Sequence, residues 1–124
     1  MITTLLFQKM WGFTLNALHM KASNTCKIQV IKETTTPEGQ PPASKYYVWG
    51  LDLSQSMQGA GGIGGLIAVI DNGTTHNFCY DANGNVGQLI NAATGTITAH
   101  YEYQPFGELI HSYGDYAGEN GYRF

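Results

Sequence analysis

Apolar and polar positions alternate with a period of two across residues 86–103, the mark of a half-buried strand pair. With a loop at Ala92-Ala93-Thr94-Gly95, Asn91 faces Thr96, Ile90 faces Ile97, Gln88 faces Ala99 and Val86 faces Tyr101. One face then collects Val86, Ile90, Ile97, Ala99, Tyr101 and Tyr103, while Thr96, Thr98, His100 and Glu102 point away. Upstream, Asn72-Gly73 lies between two apolar runs and predicts a second antiparallel hairpin over residues 66–80, because a type I′ turn wants positive φ at both central positions. That register sets Val69 against His76 and Ile67 against Phe78, so Phe78 and Tyr80 share a core face with Ile67 and Val69. Leu66, Ala68 and Ile70 fall on the opposite face, and this strand is expected to be covered on both sides. Each apolar cross-strand pair contributes roughly 0.2–1 kcal/mol, so hairpins of this size must lay their faces on something else.

The N-terminal residues 1–20 fit two templates. Leu6, Met10, Phe13, Ala17 and Met20 fall at helical spacing, whereas Trp11, Phe13, Leu15 and Ala17 alternate as in a strand. The length of the run favours a short N-terminal helix. Cys26, Ile28 and Val30 alternate with Lys27 and Gln29 and predict a strand. Residues 34–44 carry three of the four prolines and no large apolar side chain, which reads as a linker or exposed loop. This composition shift divides the chain into an unassigned segment 1–33, a Pro/Thr-rich linker 34–45 and a β-region 46–124. Residues 46–53 are rich in aromatic and β-branched side chains and predict another strand.

One motif starts twice. Tyr80-Asp81-Ala82-Asn83-Gly84-Asn85-Val86 is echoed 23 positions later by Tyr103-Gln104-Pro105-Phe106-Gly107-Glu108-Leu109. In each copy an aromatic residue ends a strand, a turn follows, Gly stands four positions after the Tyr and an apolar residue two after the Gly. The Gly supplies a positive φ, and Asp81 and Asn83 can hydrogen-bond their own backbone to hold the turn. Tyr80-Asp81-x-x-Gly84-Asn85-Val86 followed by Tyr101-Glu102-Tyr103-x-Pro105-Phe106-Gly107 resembles the tyrosine-aspartate (YD) repeat of the RHS family, in particular its RHS repeat-associated core domain. The run Tyr47-Val48-Trp49-Gly50-Leu51-Asp52-Leu53-Ser54 and the glycines after it are similar to the segment preceding that core in some bacterial members. Gln104 replaces the Asp of the second copy. The resemblance implies a mainly β fold of antiparallel hairpin repeats wound into a β-spiral shell. In many bacterial members such a shell encloses a toxic C-terminal cargo, released by self-cleavage after the core.

Composition narrows the function classes. Hydrophobic residues make up 43%, ordinary for a globular core, but only 12% are charged, about half the usual ~25%. A net charge of −3 with six Lys plus Arg gives neither a nucleic-acid footprint nor a polybasic membrane patch. No apolar run reaches the ~18–20 residues of a membrane span. Leu5-Leu6-Phe7 lacks the flanks of a signal peptide, so secretion or a place in the cell envelope is suggested by the resemblance alone. Cys26 and Cys79 form no CxxC and read as small buried hydrophobes, with a disulfide between them left open.

Candidate chemistry is sparse. Gly59-Ala60-Gly61-Gly62-Ile63-Gly64 satisfies GxGxxG, yet only five residues separate Gly65 from the Asp71-Asn72-Gly73 turn, too short for the helix whose N-terminus holds a pyrophosphate. The expectation is therefore no cofactor. His19, His76, His100 and His111 lack metal-ligand spacing, no Ser lies in a nucleophile elbow, and no enzyme is expected. Asn72-Gly73-Thr74, a glycosylation triplet by pattern, reads as turn chemistry.

The residues singled out, Tyr80, Asp81, Gly84, Asn85, Tyr101, Tyr103, Pro105, Phe106 and Gly107, are structural. Their partners would be neighbouring YD repeats and an enclosed toxin domain. The other reading is an extracellular module binding glycans or cell surfaces; an exposed Trp49 favours it, a Trp49 packed among strands favours the shell. Because the second motif copy has only residues 109–124 after its turn, an incomplete and marginally stable unit is expected, with Tyr101, Tyr103 and Phe106 partly uncovered.

Overall fold

The computed structural model describes residues 2–10, 13–22 and 25–123, with side chains described from Gln29 to Arg123. Among these residues nine strands form one antiparallel sheet in which each pairs with the next in the chain. They are β1 (Ile2–Met10), β2 (Phe13–Ala22), β3 (Thr25–Thr35), β4 (Ala43–Trp49), β5 (Leu66–Asp71), β6 (Thr74–Tyr80), β7 (Val86–Asn91), β8 (Ile97–Tyr103) and β9 (Leu109–Tyr113). The described residues contain no helix, hence none long and apolar enough to cross a membrane.

The short helix expected at the N-terminus is corrected: β1 and β2 are strands, paired with Ile2 opposite Met20, Leu5 opposite Ala17 and Phe7 opposite Leu15. Both periodicities are present in this segment, so the apolar pattern alone cannot decide between them. Pairing decides, because β3 offers β2 a ladder from Ala22–Thr25 to Phe13–Thr35, and Ile2, Thr3, Thr4, Phe13 and Thr14 prefer extended backbone. Trp11 lies outside the described residues. The Pro/Thr-rich segment is an exposed hairpin loop: Thr34 and Thr35 end β3, Ala43 to Lys45 open β4, and Thr35 pairs with Ala43.

The Asn72-Gly73 hairpin forms as its chemistry dictates. Asn72 has φ 47° and Gly73 φ 79°, and Val69 lies opposite His76. Beyond the turns, strict alternation fails at bulges, in which two residues oppose one and the side-chain parity reverses. Trp49 pairs with Leu66 while Val48 pairs with Ala68, so Ile67 is the extra residue. Leu66 is therefore buried and Ile67 is 52% exposed, the reverse of the even alternation. Ala68 is buried too, outside the main cluster, so residues on both faces of β5 are covered.

The third hairpin shows the same effect twice. Ile90 pairs with Ile97 as expected, but Leu89, not Gln88, pairs with Ala99, which leaves Thr98 extra. Gly87 is extra between the Cys79–Gln88 and Tyr80–Val86 pairs. The core face is therefore Val86, Leu89, Ala99 and Tyr101; Ile90 and Ile97 are shifted off it, and Ile97 is 47% exposed.

A single sheet needs cover, and the chain supplies it. After β9, residues 114–123 fold back as a strap over one face, where Tyr116 and Ala117 join Leu66, Val69, Phe78, Val86, Leu89, Ala99 and Tyr101 in one cluster. Tyr122 meets Tyr47 edge-on at 5.0 Å and Trp49 at 5.8 Å, both on β4. Backbone bonds fix both ends, Tyr116 N–H to Thr98 O at 2.9 Å and Val86 N–H to Arg123 O at 2.9 Å. Tyr101, expected to be partly uncovered, is thus buried, its hydroxyl donating to Ala117 O at 3.0 Å and accepting from Asn120 Nδ2 at 3.2 Å. Tyr103 stays half-buried and Phe106 is almost fully exposed.

Candidate functional site

The two motif copies build the same turn. In the first, Asp81 N–H donates to Asn85 O at 2.9 Å and Gly84 N–H to Asp81 O at 3.1 Å; in the second, Gln104 N–H donates to Glu108 O at 2.8 Å and Gly107 N–H to Gln104 O at 2.8 Å. Gly84 and Gly107 both have φ 85°. Each motif tyrosine then reaches back to a strand start. Tyr80 donates its hydroxyl to Leu66 O at 2.7 Å, and Tyr103 donates to Val86 O at 2.9 Å. Leu66 and Val86 open β5 and β7, so each Tyr ties the end of a hairpin to its beginning. Burial pushes the Tyr80 hydroxyl up to about 12, with the Leu66 bond pulling the other way.

The Asp of the motif has a definable task. Its carboxylate accepts Asn83 N–H at 2.8 Å, Asn85 N–H at 2.9 Å and Asn85 Nδ2 at 2.9 Å, and the Asn85 side chain leads the effects that hold its pKa below the usual value. This explains why Asp81 and Asn85 stand together in the pattern. Gln104 carries an amide one methylene further out. Gln104→Asp is expected to stabilise the protein by about 0.5–1 kcal/mol, by accepting from Phe106 and Glu108 N–H as Asp81 does from Asn83 and Asn85. Urea unfolding of the two proteins side by side measures it, and an unchanged midpoint means the two turns are not interchangeable. Pro105 and Phe106 are exposed and make no clasp of this kind.

The Gly-rich loop is organised by a residue that the sequence singles out only as part of the run Tyr47-Val48-Trp49-Gly50-Leu51-Asp52-Leu53-Ser54. Asp52 is buried and accepts Ser54 N–H at 2.9 Å, Ser54 Oγ at 2.5 Å, Ala60 N–H at 2.7 Å and Gly62 N–H at 3.2 Å. Residues 59–64 form turns, and the backbone donors that a dinucleotide motif would aim at phosphate face this internal carboxylate. Buried Gln29 adds a bond to Met57 O at 3.2 Å.

Burial works against the charge on Asp52, but the bonds from Ser54, Ala60 and Gly62 outweigh it and hold the carboxyl at about 2. A depressed pKa means that the loop's stabilisation is present above the ordinary value of 3.8 and is lost as the pH falls towards 2. The Ala60 and Gly62 amides are therefore expected to lose exchange protection across that window. Asp52→Asn should show the loss already at neutral pH, and an acid-insensitive loop in the native protein would contradict the assignment.

A cleft of about 410 Å³ opens at the end of β3–β5, lined by Glu33, Thr35, Ala43, Lys45, Asp71, Asn72 and Glu119. Lys45 Nζ lies 3.1 Å from Asp71 and 3.6 Å from Glu119, and Tyr47 donates to Glu33 Oε2 at 2.7 Å. Burial and then Glu33 raise the Tyr47 hydroxyl well above its ordinary range. Tyr116 donates to Asp71 Oδ2 at 2.8 Å and stacks on His76 at 4.0 Å. No periodicity links Tyr116 to Asp71 or His76, so no sequence signal could have joined them. Among the described residues, no three of His, Cys, Asp and Glu gather as a metal site would require. Cys79 is a free thiol, and the side chain of Cys26 lies outside the described residues. Comparison with protein-family models, with curated proteins and with solved structures finds no match.

Proposed function

We propose that the chain is a structural segment of an RHS (YD-repeat) shell, of the kind that encloses a C-terminal toxin or effector, and that its work is packing and containment rather than catalysis. The observation that carries the reading is the repeated clasp. Two motif copies make one backbone turn, each with a glycine at φ 85° and a tyrosine tied to the carbonyl that opens the hairpin. A wall built from such units extends by adding hairpins edge to edge, and its partners are the neighbouring repeats and the enclosed domain. Export or a place in the cell envelope belongs to the same reading. Trp49 supports it over a glycan-binding surface, since its indole N–H donates to Val30 O at 2.6 Å and its ring packs against Tyr122.

The test sets the motif against the open face of the sheet, where Tyr46 and Ile97 are exposed. For a wall, Tyr103→Phe lowers stability by about 1 kcal/mol, while Tyr46→Ser and Ile97→Thr stay within about 0.5 kcal/mol. The purified protein is also expected to show no saturable signal on a glycan array. A saturable glycan signal abolished by Tyr46→Ser would sink the shell reading and establish the binding module instead.

A further inference from the structure

Among the residues whose side chains are described, His76 is the buried imidazole of the sheet, 6% exposed, and it lies where the strap turns onto the core. The Tyr116 ring stacks on it at 4.0 Å with the planes 12° apart. Thr98 Oγ1 donates to Leu89 O at 3.3 Å and so accepts from His76 Nδ1 at 2.8 Å, which assigns the neutral imidazole its proton on Nδ1. Acid adds the second proton at Nε2. The Tyr116 ring already carries one cation, Lys45 Nζ at 5.4 Å from its centre.

We propose that residues 114–123 form an acid-released latch: a proton on His76 creates a buried cation with no free carboxylate beside it, and solvating that cation lifts the strap off the apolar sheet face that it covers.

The surroundings of His76 set the balance. Lys45 on β4 repels the imidazolium, Asp71 on β5 attracts it, and Glu33 on β3 and Glu119 in the strap lie further out around the Tyr116 hydroxyl. β7 presents the amide Asn91 opposite His76, and β8 presents the Thr98 hydroxyl. The Asp71 carboxylate is already engaged, by Lys45 at 3.1 Å and by Tyr116 at 2.8 Å. Burial accordingly pushes the imidazole below its ordinary 6.5, with Asp71 opposing and Lys45 assisting. The sign follows. Above 6.5 the ring is neutral whether the strap is docked or free. Below it the free state takes the proton first, so docking weakens by up to about tenfold per pH unit until the docked ring titrates as well.

Release has a defined consequence. Tyr116, Ala117 and Tyr122 leave the cluster, and Leu66, Val69, Phe78, Leu89 and Tyr101 become accessible from the strap side. The latch is distinct from the acid response of Asp52, which belongs to a window below 3.8.

The test is an apolar-dye titration from about pH 7.5 to 5 on the whole chain, with hydrogen exchange at both ends corrected for intrinsic rates. The expected result is a rise in dye fluorescence below 6.5, with amides of residues 114–123 losing protection while those of β6 and β7 keep theirs. His76→Phe retains a ring for Tyr116 to stack on but cannot titrate, and it should hold the dye signal flat over the same range. Three results overturn the proposal: a native protein with no change above pH 5, strap and sheet losing protection together, or a His76→Phe protein that titrates like the native one. The exchange measurement on the native chain decides the matter even if the variant does not fold.

Discussion

Replacing Gly114 by alanine is expected to destabilise the protein by about 3 kcal/mol, whereas Gly118→Ala, four residues along the same strap, should stay within about 0.5 kcal/mol. Gly114 is where the chain leaves β9 and reverses onto the core, with φ 109°, a region that an L side chain rarely adopts. A Cβ there would overlap the Thr98 carbonyl oxygen and lie 2.8 Å from its carbon and 3.0 Å from Ala99 Cα. These are backbone atoms of β8, and they cannot swing aside as a side-chain tip can. Relief requires the strap to move, and with it Tyr116 and the Asn120 bonds to Tyr101 and Tyr122. At Gly118 nothing lies within 4 Å of an added Cβ. Urea unfolding of the two variants isolates the hinge from any general effect of removing a glycine. Equal losses, or a Gly114→Ala protein as stable as the native one, would mean that the strap does not hold the core.

What was legible in the sequence was local. The Asn72-Gly73 hairpin followed from two residues that tolerate positive φ, and the YD turn from an Asp two positions before an Asn and three before a Gly. In both the cause lies within a few bonds of the effect. β7 and β8 followed from alternation and β4 from its aromatic and β-branched content, though β4 ends at Trp49 rather than Leu53, and β9 was not foreseen. The N-terminal helix did not form, because that segment carries both periods and the choice is made by the neighbouring strand. The strap was illegible for a related reason: Gly114, Gly118 and Gly121 favour loops, and residues 114–123 form one. That this loop crosses the sheet to meet Tyr47 and Trp49 is decided at distances of more than seventy residues. The Asp52 bonds span ten residues within one loop, and Asp52-Leu53-Ser54, an Asp two before a Ser, was the available signal.

The bulges carry the sharpest consequence, because they exchange which residue of a neighbouring pair is in the core. Leu89→Ala is expected to cost about 3 kcal/mol, and Ile90→Ala about 1 kcal/mol. The even alternation of residues 86–103 implies the opposite order, with Ile90 inside. Leu89 is fully buried against the Ala99 strand and packs with Phe78 and Val86, so truncation leaves a cavity that the flanking strands cannot close without breaking their ladders. Ile90 pairs with Ile97, which is 47% exposed, and the side-chain carbons lost there are replaced by water. Two bulges are responsible. Gly87 is the extra residue that puts Val86 and Leu89, three apart, on one face, and Thr98 is the extra residue that keeps Ala99 and Tyr101 in step with them. Thr98 is also held in place chemically, donating to Leu89 O and accepting from His76. Thermal and urea unfolding of Leu89→Ala and Ile90→Ala therefore read the register of the whole hairpin. A larger loss at Ile90 than at Leu89 would restore the unbroken alternation and remove both bulges from the description of this sheet.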